Sequence, residues 1–293
     1  MSDFTLILIS GVGLGALYFL VASGLSLIYG LMGVLNFAHG VFLAAGAFGG
    51  FWVTNTLMPE MSSRSLALAI LMGGLISGTF AVIIEKLIIT RLYERHMDQA
   101  LVTVGVTLVV TAVMTGWFGP DARLMFIPGW YYNAVKIFGA NVPVDRFLYI
   151  GVALAIFLVS MSILKFTRIG LVIRAGVENR AMVTALGINV KRAFTTVFFM
   201  GGFAAGMGGV LIGAYASGVS PFMGASWLIY GFIVVVVGGM GSIPGTALAA
   251  LLIGVTKQFA NFYISGLGDF IVVLLLATVL LTRPQGLLGK AAH

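Results

Sequence analysis

The 293-residue sequence contains no cysteine and only nine acidic side chains. Without thiols there are no disulfides and no thiolate metal sites. Charged residues make up 9% of the chain, against about 25% in an ordinary soluble domain. The acids are Asp3, Glu60, Glu85, Glu94, Asp98, Asp121, Asp145, Glu178 and Asp269. None falls in the middle of a long apolar run, so the buried ionisable relay typical of proton-coupled carriers is missing. Sodium coupling through backbone carbonyls remains open. The chain has no G-x-x-x-x-G-K-[ST] loop and so no ATPase site of its own. It has no HExxH or GxSxG motif either, so it is not read as an enzyme, and no metal or cofactor is expected in it. The opening residues, MSDFTLILISG, lack the basic flank of a cleaved secretory leader.

Hydrocarbon is what the chain has in quantity. Sixty per cent of residues are hydrophobic, with 22 Phe and 40 Gly, and mean hydropathy is +1.11. Repeated runs reach the roughly 20 residues that cross about 30 Å of hydrocarbon as a helix. Barrel strands alternate over about 10 residues, whereas these runs are continuous. The expected fold is an all-α polytopic membrane protein, a single permease-like domain over 1–293. The glycines suit helices whose backbones approach closely in lipid.

The runs predict spans at Phe4–Tyr29, Phe37–Leu57, Leu66–Ile89, Leu101–Phe118, Phe147–Phe166, Phe194–Tyr215, Leu228–Val237, Thr246–Ile264 and Phe270–Leu281. That is nine crossings, or eight if Leu228–Val237 is re-entrant. Cations gather in the loops at 90–100 and 165–192 and in the tail, which holds Arg283 and Lys290. Basic loops collect on the cytoplasmic side. The N-terminus is therefore expected outside, the C-terminus in the cytosol and the 119–146 link outside. The net charge of +7 is assigned to this membrane face rather than to nucleic acid. Ile28-Tyr29-Gly30 and Ile229-Tyr230-Gly231 each precede a Gly-rich break and another apolar run. A structural repeat and chance both account for that similarity.

Three polar interruptions carry the candidate sites. Asn36 and His39 break an apolar run. Asn36 could cap a broken helix and His39 pack in the core, or both could line a pathway where unwound backbone is tolerated at depth. Lys257 is the one cation deep inside a span. It either snorkels to an interface or, with Gln258 and Asn261, faces a wet path, Lys257 and Asn261 sharing a helical face. The third interruption runs from Arg168 to Ala193. It mixes Arg168, Arg174, Arg180, Lys191 and Arg192 with Leu, Ile, Val and Ala. Arg180–Leu186 reads as an amphipathic helix stopped by Gly187 in the left-handed conformation, and Arg168–Val177 as a second short helix. A pair of such helices suits a groove on a soluble partner.

The stretch RAGVENRAMVTALGINVKRA resembles the coupling loop of ABC importer permeases of the branched-chain amino acid type, the LivH and LivM family. The matching pattern is R-A-x-x-x-N-x-x-x-A-x-x-x-G-I-N. It falls on Arg174, Ala175, Asn179, Gly187, Ile188 and Asn189, with Val183 in place of the usual small residue. Gly24–Phe48, containing Asn-Phe-Ala-His-Gly at 36–40, and Gly238–Gly245 resemble two further family segments, in order. The resemblance implies a fold similar to the large, vitamin B12-type permeases. It implies an ATP-driven importer for branched-chain or related amino acids, in which this chain is a LivH-like subunit. Its implied partners are a LivM-like permease, two ATPases that bind ATP and Mg, a periplasmic solute-binding protein and membrane lipid. Contacts to the ATPases are expected at Arg174, Ala175, Glu178, Asn179, Arg180, Leu186, Gly187, Ile188 and Asn189. Closure of the ATPases would tilt the fifth and sixth spans against the rest. An ATP-independent channel for a small neutral solute, such as urea or an amide, is the alternative.

Overall fold

The computed structural model describes residues 2–33, 35–59, 61–93, 95–178, 180–187 and 190–289. The apolar runs are all helical: α1 Ser2–Met32, α2 His39–Trp52, α3 Ser63–Leu87, α4 His96–Phe118 and α5 Asp145–Phe166. Two short helices follow, α6 Arg168–Glu178 and α7 Arg180–Ala185, and then α8 Val190–Tyr215, α9 Met223–Gly238, α10 Ile243–Tyr263 and α11 Leu267–Thr282. α2 continues as a π-helical turn over Val53–Leu57. Among the described residues seven helices are long and apolar enough to cross a bilayer, and α9 and α11 are shorter apolar helices of 16 residues. At 1.5 Å per residue those two reach about 24 Å, short of the roughly 30 Å hydrocarbon core. The nine expected segments therefore divide into seven full-length helices and two short ones.

Local chemistry sets the boundaries. The Ser62 side chain accepts the Ser65 N–H at 3.2 Å and starts α3. Ser242 does the same for Gly245, with proline in the first turn of α10. Such oxygens satisfy helix N–H groups that have no intrahelical partner.

α8 is the centre of the bundle. It packs along α1, α2 and α3, and its glycines make this approach close enough that backbones touch. A Cβ on Gly24 of α1 would lie 2.7 Å from the Gly201 Cα, and one on Gly46 of α2 would lie 2.7 Å from the Gly206 carbonyl oxygen. Leu43, Val210, Leu211 and Phe198 fill the space beside these contacts and are fully enclosed. α10 runs along α1, α9 bridges α1 and α10, and α11 lies outside on α9 and α10. α5 lies chiefly on α1, and α4 leans on α2. The fifth and sixth long helices, α5 and α8, barely meet. The two helices expected to tilt together thus pack on different neighbours, α8 on α1–α3 and α5 on α1, and α6 touches both.

The connections gather at two ends. Strand β1, Arg123–Leu124, pairs with β4, Gly218–Val219, and Asn55 Nδ2 donates to the Leu124 carbonyl at 3.0 Å. The hairpin of β2, Ala134–Ile137, and β3, Ala140–Pro143, belongs to the same link. Links 53–62, 119–144 and 216–222 therefore share one end. At the other end the two Gly-rich breaks meet, Gly30 lying against Gly241, which brings together the halves of the weak sequence similarity. The tail joins them there: Leu287 and Leu288 donate backbone N–H groups to the carbonyls of Val237 and Gly238. The Thr195 hydroxyl donates to Glu85 at 3.0 Å, so the base of α8 and the 88–95 turn belong to this end too. The expected grouping of the basic loops is thus a property of the fold.

Candidate functional site

Three polar regions interrupt the apolar bundle. The first is the basic end. The Thr167 hydroxyl accepts the Gly170 N–H at 3.0 Å and donates to the Ile163 carbonyl at 2.6 Å, making an elbow between α5 and α6. Arg174 turns back and donates to the Leu164 carbonyl at 2.5 Å, closing the end of α5. Ile173 and Val183 are buried, and Ala175 packs partly against the core. Leu171, Met182 and Leu186 project outward, Leu186 70% exposed. Gly187 has φ +74°, with nothing within 4 Å of where a Cβ would lie, so it is the left-handed stop the sequence implied. Glu178 ends α6 and Arg180 begins α7. Asn179, Ile188 and Asn189 lie outside the described residues. Apolar side chains thus stand exposed on two short helices and the turn after them, at an end tied directly to α5.

The second region is the break between α1 and α2. Asn36 Oδ1 accepts the Ala38 N–H at 3.1 Å, and the Asn36 carbonyl accepts the His39 N–H at 3.1 Å. His39 is fully enclosed. Its Nε2 donates to the Val21 carbonyl at 2.9 Å, and its ring meets Phe42 edge-on. Both residues sit in helix packing. The exposed flank of the break is satisfied by α4: Thr103 accepts the Phe37 N–H at 3.3 Å and Thr107 donates to the Phe37 carbonyl at 3.1 Å.

The third region lies in the half of the bundle that carries the 119–144 and 216–222 links. Lys257 Nζ meets Asp269 Oδ1 at 2.5 Å and donates to the Tyr230 hydroxyl at 2.9 Å. Tyr230 in turn donates to Asp269 at 2.7 Å. The ammonium lies 4.0 Å from the Tyr230 ring centre and 5.8 Å from that of Tyr18, a cation–π arrangement worth about 0.5–2 kcal/mol. Tyr18 stacks on Tyr230 at 5.1 Å and tilts against Trp227 at 5.7 Å. Trp227 meets Tyr215, over which the Arg146 guanidinium sits at 5.2 Å. Arg146 pairs with Asp145 at 2.9 Å, Tyr149 donates to Asp145 at 3.0 Å, and Tyr149 shares a hydrogen bond with Tyr131. Burial pushes the Tyr131 phenol above its ordinary range, so it is neutral at physiological pH. The result is a continuous seam of aromatic rings and paired charges from α11 across α9 and α1 to the first turn of α5.

The shared face predicted for Lys257 and Asn261 is the face that carries α11: Lys257 holds Asp269, and Asn261 Oδ1 accepts the Gly268 N–H at 2.8 Å. Gln258 packs elsewhere, beside Gly11 of α1. Sequence reading missed Tyr18, Tyr230 and Trp227, which look like members of apolar runs, and Asp269, which looks like a loop acid. It also missed Glu85, a buried carboxylate at the basic end that accepts from Thr90, Tyr93 and Thr195. The feature that could have flagged Glu85 is an acid in the last turn of an apolar helix. Among the described residues no group of acids and histidines is placed to hold a metal ion.

Residues 7–281 match the family described as branched-chain amino acid transport system / permease component. The chain is 29% identical to the high-affinity branched-chain amino acid transport system permease protein LivH of Salmonella typhimurium, over 96% of this chain and 94% of the relative. It is 30% identical to the permease protein BraD of Pseudomonas aeruginosa, over 97% and 95%. It is 26% identical to the permease protein LivM of Escherichia coli, over 93% and 68%. No solved structure matches it significantly, and the likeness to vitamin B12-type permeases rests on the segment resemblance alone. With the match running from the second turn of α1 to the last turn of α11, the chain is a multi-pass member of the branched-chain amino acid permease family.

Proposed function

We propose that this chain is the transmembrane subunit of an ATP-driven importer of branched-chain or related amino acids in a bacterial cytoplasmic membrane. Residues 1–293 act as one permease domain, and the 168–193 segment is the handle for two separate ATPases, which carry the ATP and Mg. A LivM-like second permease completes the membrane pair, and a periplasmic solute-binding protein loads it. The basic end is cytosolic, which puts the N-terminus outside and the C-terminus inside. Coupling contacts fall on Arg174, Ala175, Glu178, Asn179, Arg180, Leu186, Gly187, Ile188 and Asn189. One observation carries this reading: α6, α7 and the turn after α7 present Leu171, Met182 and Leu186 outward at the basic end, on a chain in which no ATPase motif is read.

The force path then follows the packing. α6 is fixed to α5 through Thr167 and the Arg174–Leu164 contact. α5 spans about 33 Å at 1.5 Å per residue and ends in Asp145, Arg146 and Tyr149 of the aromatic seam. Movement of the ATPases would thus reach the seam through α5, and the base of α8 through its own contacts with α6 and α7. Substrate biases the cycle only by its difference in affinity between the two states. Vesicles containing this chain alone should accumulate no leucine. Co-expression with its ATPases, second permease and binding protein should give ATP-dependent accumulation. ATP-independent flux through the chain alone would support the facilitator alternative instead.

A further inference from the structure

We propose that the Lys257–Tyr230 pair on the Tyr18 floor is a carboxylate-binding site for the transported solute, and that Asp269 is an internal carboxylate held there in its absence. The inference rests on the transport reading above and gives it a site. The site already binds a carboxylate: Asp269 Oδ1 takes both the ammonium of Lys257, at 2.5 Å, and the hydroxyl of Tyr230, at 2.7 Å. The two charges are unequally placed. The Lys257 side chain is 12% exposed and the Asp269 side chain 64%. Lys257 is fixed from below by Tyr18, Tyr230 and α1. Asp269 stands at the rim, in the first turn of α11, the outermost helix of this face. The pair is enclosed on the Lys257 side and open on the Asp269 side, so a competing carboxylate can take Asp269's place while the enclosed ammonium keeps an anion beside it.

A solute with a carboxylate next to an ammonium completes the exchange. Its carboxylate takes the two donors, and its ammonium lies one carbon away, where the displaced Asp269 meets it. No charge is left unpaired at any stage, which matters at a position bordering hydrocarbon. The half-buried Tyr230 and Trp227 rings, 6.3 Å apart and backed by the buried Tyr18, then offer an apolar wall for the rest of the molecule. A neutral amide or a free amine fits less well, because it leaves Lys257 without an anion. A carboxylate lacking the ammonium leaves Asp269 repelled. The chemistry selects an α-amino acid zwitterion.

A helix brace and a solute site predict opposite results for one variant. Lys257→Met or Asp269→Leu alone strands a charge under either reading. The double variant Lys257→Met/Asp269→Leu removes both charges, and apolar replacement of a buried pair is often neutral for stability. In proteoliposomes holding the whole importer with leucine-loaded binding protein, the double variant should assemble with its partner subunits to the wild-type extent and take up leucine at least tenfold more slowly. Wild-type uptake in the double variant would overturn the proposal and make the pair a brace.

A second measurement stands if that variant does not fold. The chain has no natural cysteine, and Phe270, next to Asp269, is 65% exposed. In a Phe270→Cys importer, millimolar leucine should slow alkylation by a water-soluble maleimide severalfold. Equal concentrations of isopentylamine and 4-methylpentanoate should not. Equal protection by all three, or by none, would overturn the proposal. A wild-type complex that imports leucine without ATP would instead overturn the transport reading and leave the protection result to be judged on its own.

Discussion

Two helices of similar length and hydropathy, α8 and α4, occupy opposite places in the same bundle. In the most apolar stretch of α8, 83% of residues are buried, and in that of α4, 6%. Hydrophobicity does not separate them, because lipid satisfies an apolar side chain as well as protein does. Small residues do. In lipid, helices associate through van der Waals contact and interhelical hydrogen bonds, which favours residues that let backbones approach. α8 carries Gly201, Gly202, Gly206, Gly208, Gly209 and Gly213, each facing a neighbour closely. The glycines of α4, Gly105 and Gly116, have nothing within 4 Å of a Cβ position. α4 is held instead by polar contacts from Thr103 and Thr107 to the α1–α2 break.

The largest expected effect comes from filling the α8 seam. A side chain at Gly206 would overlap the Gly73 carbonyl and the Ser77 side chain of α3. Neither can yield without moving a helix. Overpacking of this kind costs about 1–3 kcal/mol, and Gly206→Leu should fall at the top of that range. Thermal unfolding in detergent should show a large drop in midpoint, with loss of folded protein on size exclusion. A wild-type midpoint would mean that α8 is not the packing centre.

Glu85 tests the polar counterpart of that seam, because it ties the end of α3 to the base of α8. Its carboxylate accepts from Thr195 and from the 90–93 turn. In Glu85→Leu, Thr90 and Thr195 keep main-chain acceptors at the carbonyls of residues 85 and 191, while the link between the two helices is lost. A cost of about 1–3 kcal/mol follows from removing a buried acceptor. Trypsin should then cut the 86–95 turn, which holds Lys86, Arg91 and Arg95, faster than in wild type. An unchanged cleavage rate would show that apolar packing alone holds the base of α8.

How much of this was legible depended on the range of the interactions. The nine apolar helices among the described residues follow from runs of hydrocarbon, a local property, and their observed ends fall within five residues of expectation. The α6–α7 pair and the left-handed Gly187 were legible too, because amphipathic spacing and a glycine stop are local signals. The position of α8 was not. Forty glycines are scattered through the chain, and only the fold shows which of them face a neighbour. Glu85 and Thr195 lie 110 residues apart, Lys257 and Tyr230 lie 27 apart, and neither pair announces itself by spacing. His39 drew notice because it is polar in an apolar run, yet it lies enclosed against Val21 and Phe42.

Gly187→Val acts just before α8 begins. The position has open space around it, so the cost is conformational, about 1–2 kcal/mol for a side chain held in the left-handed region. The strain falls on the α7–α8 connection and not on the bundle. The variant should insert and melt near the wild-type temperature, yet lose most leucine uptake by the assembled importer. Normal uptake would remove this turn from the coupling path.

The smallest effect should come from α4 and have the opposite sign. Gly105 is helical, and a Cβ there meets nothing. Replacing glycine by alanine in a helix interior removes a backbone entropy penalty of about 0.5–1 kcal/mol. Gly105→Ala should therefore raise the melting midpoint slightly in detergent. The same change at Gly206 should lower it, because there the new methyl group meets the Gly73 carbonyl. One methyl group placed on two helices of one bundle thus separates glycine kept for contact from glycine that contact does not require. If Gly105→Ala instead destabilises the importer, α4 has a partner in the assembled complex whose backbone needs that space. The face presenting Leu101, Leu108 and Val109 is then where that partner sits.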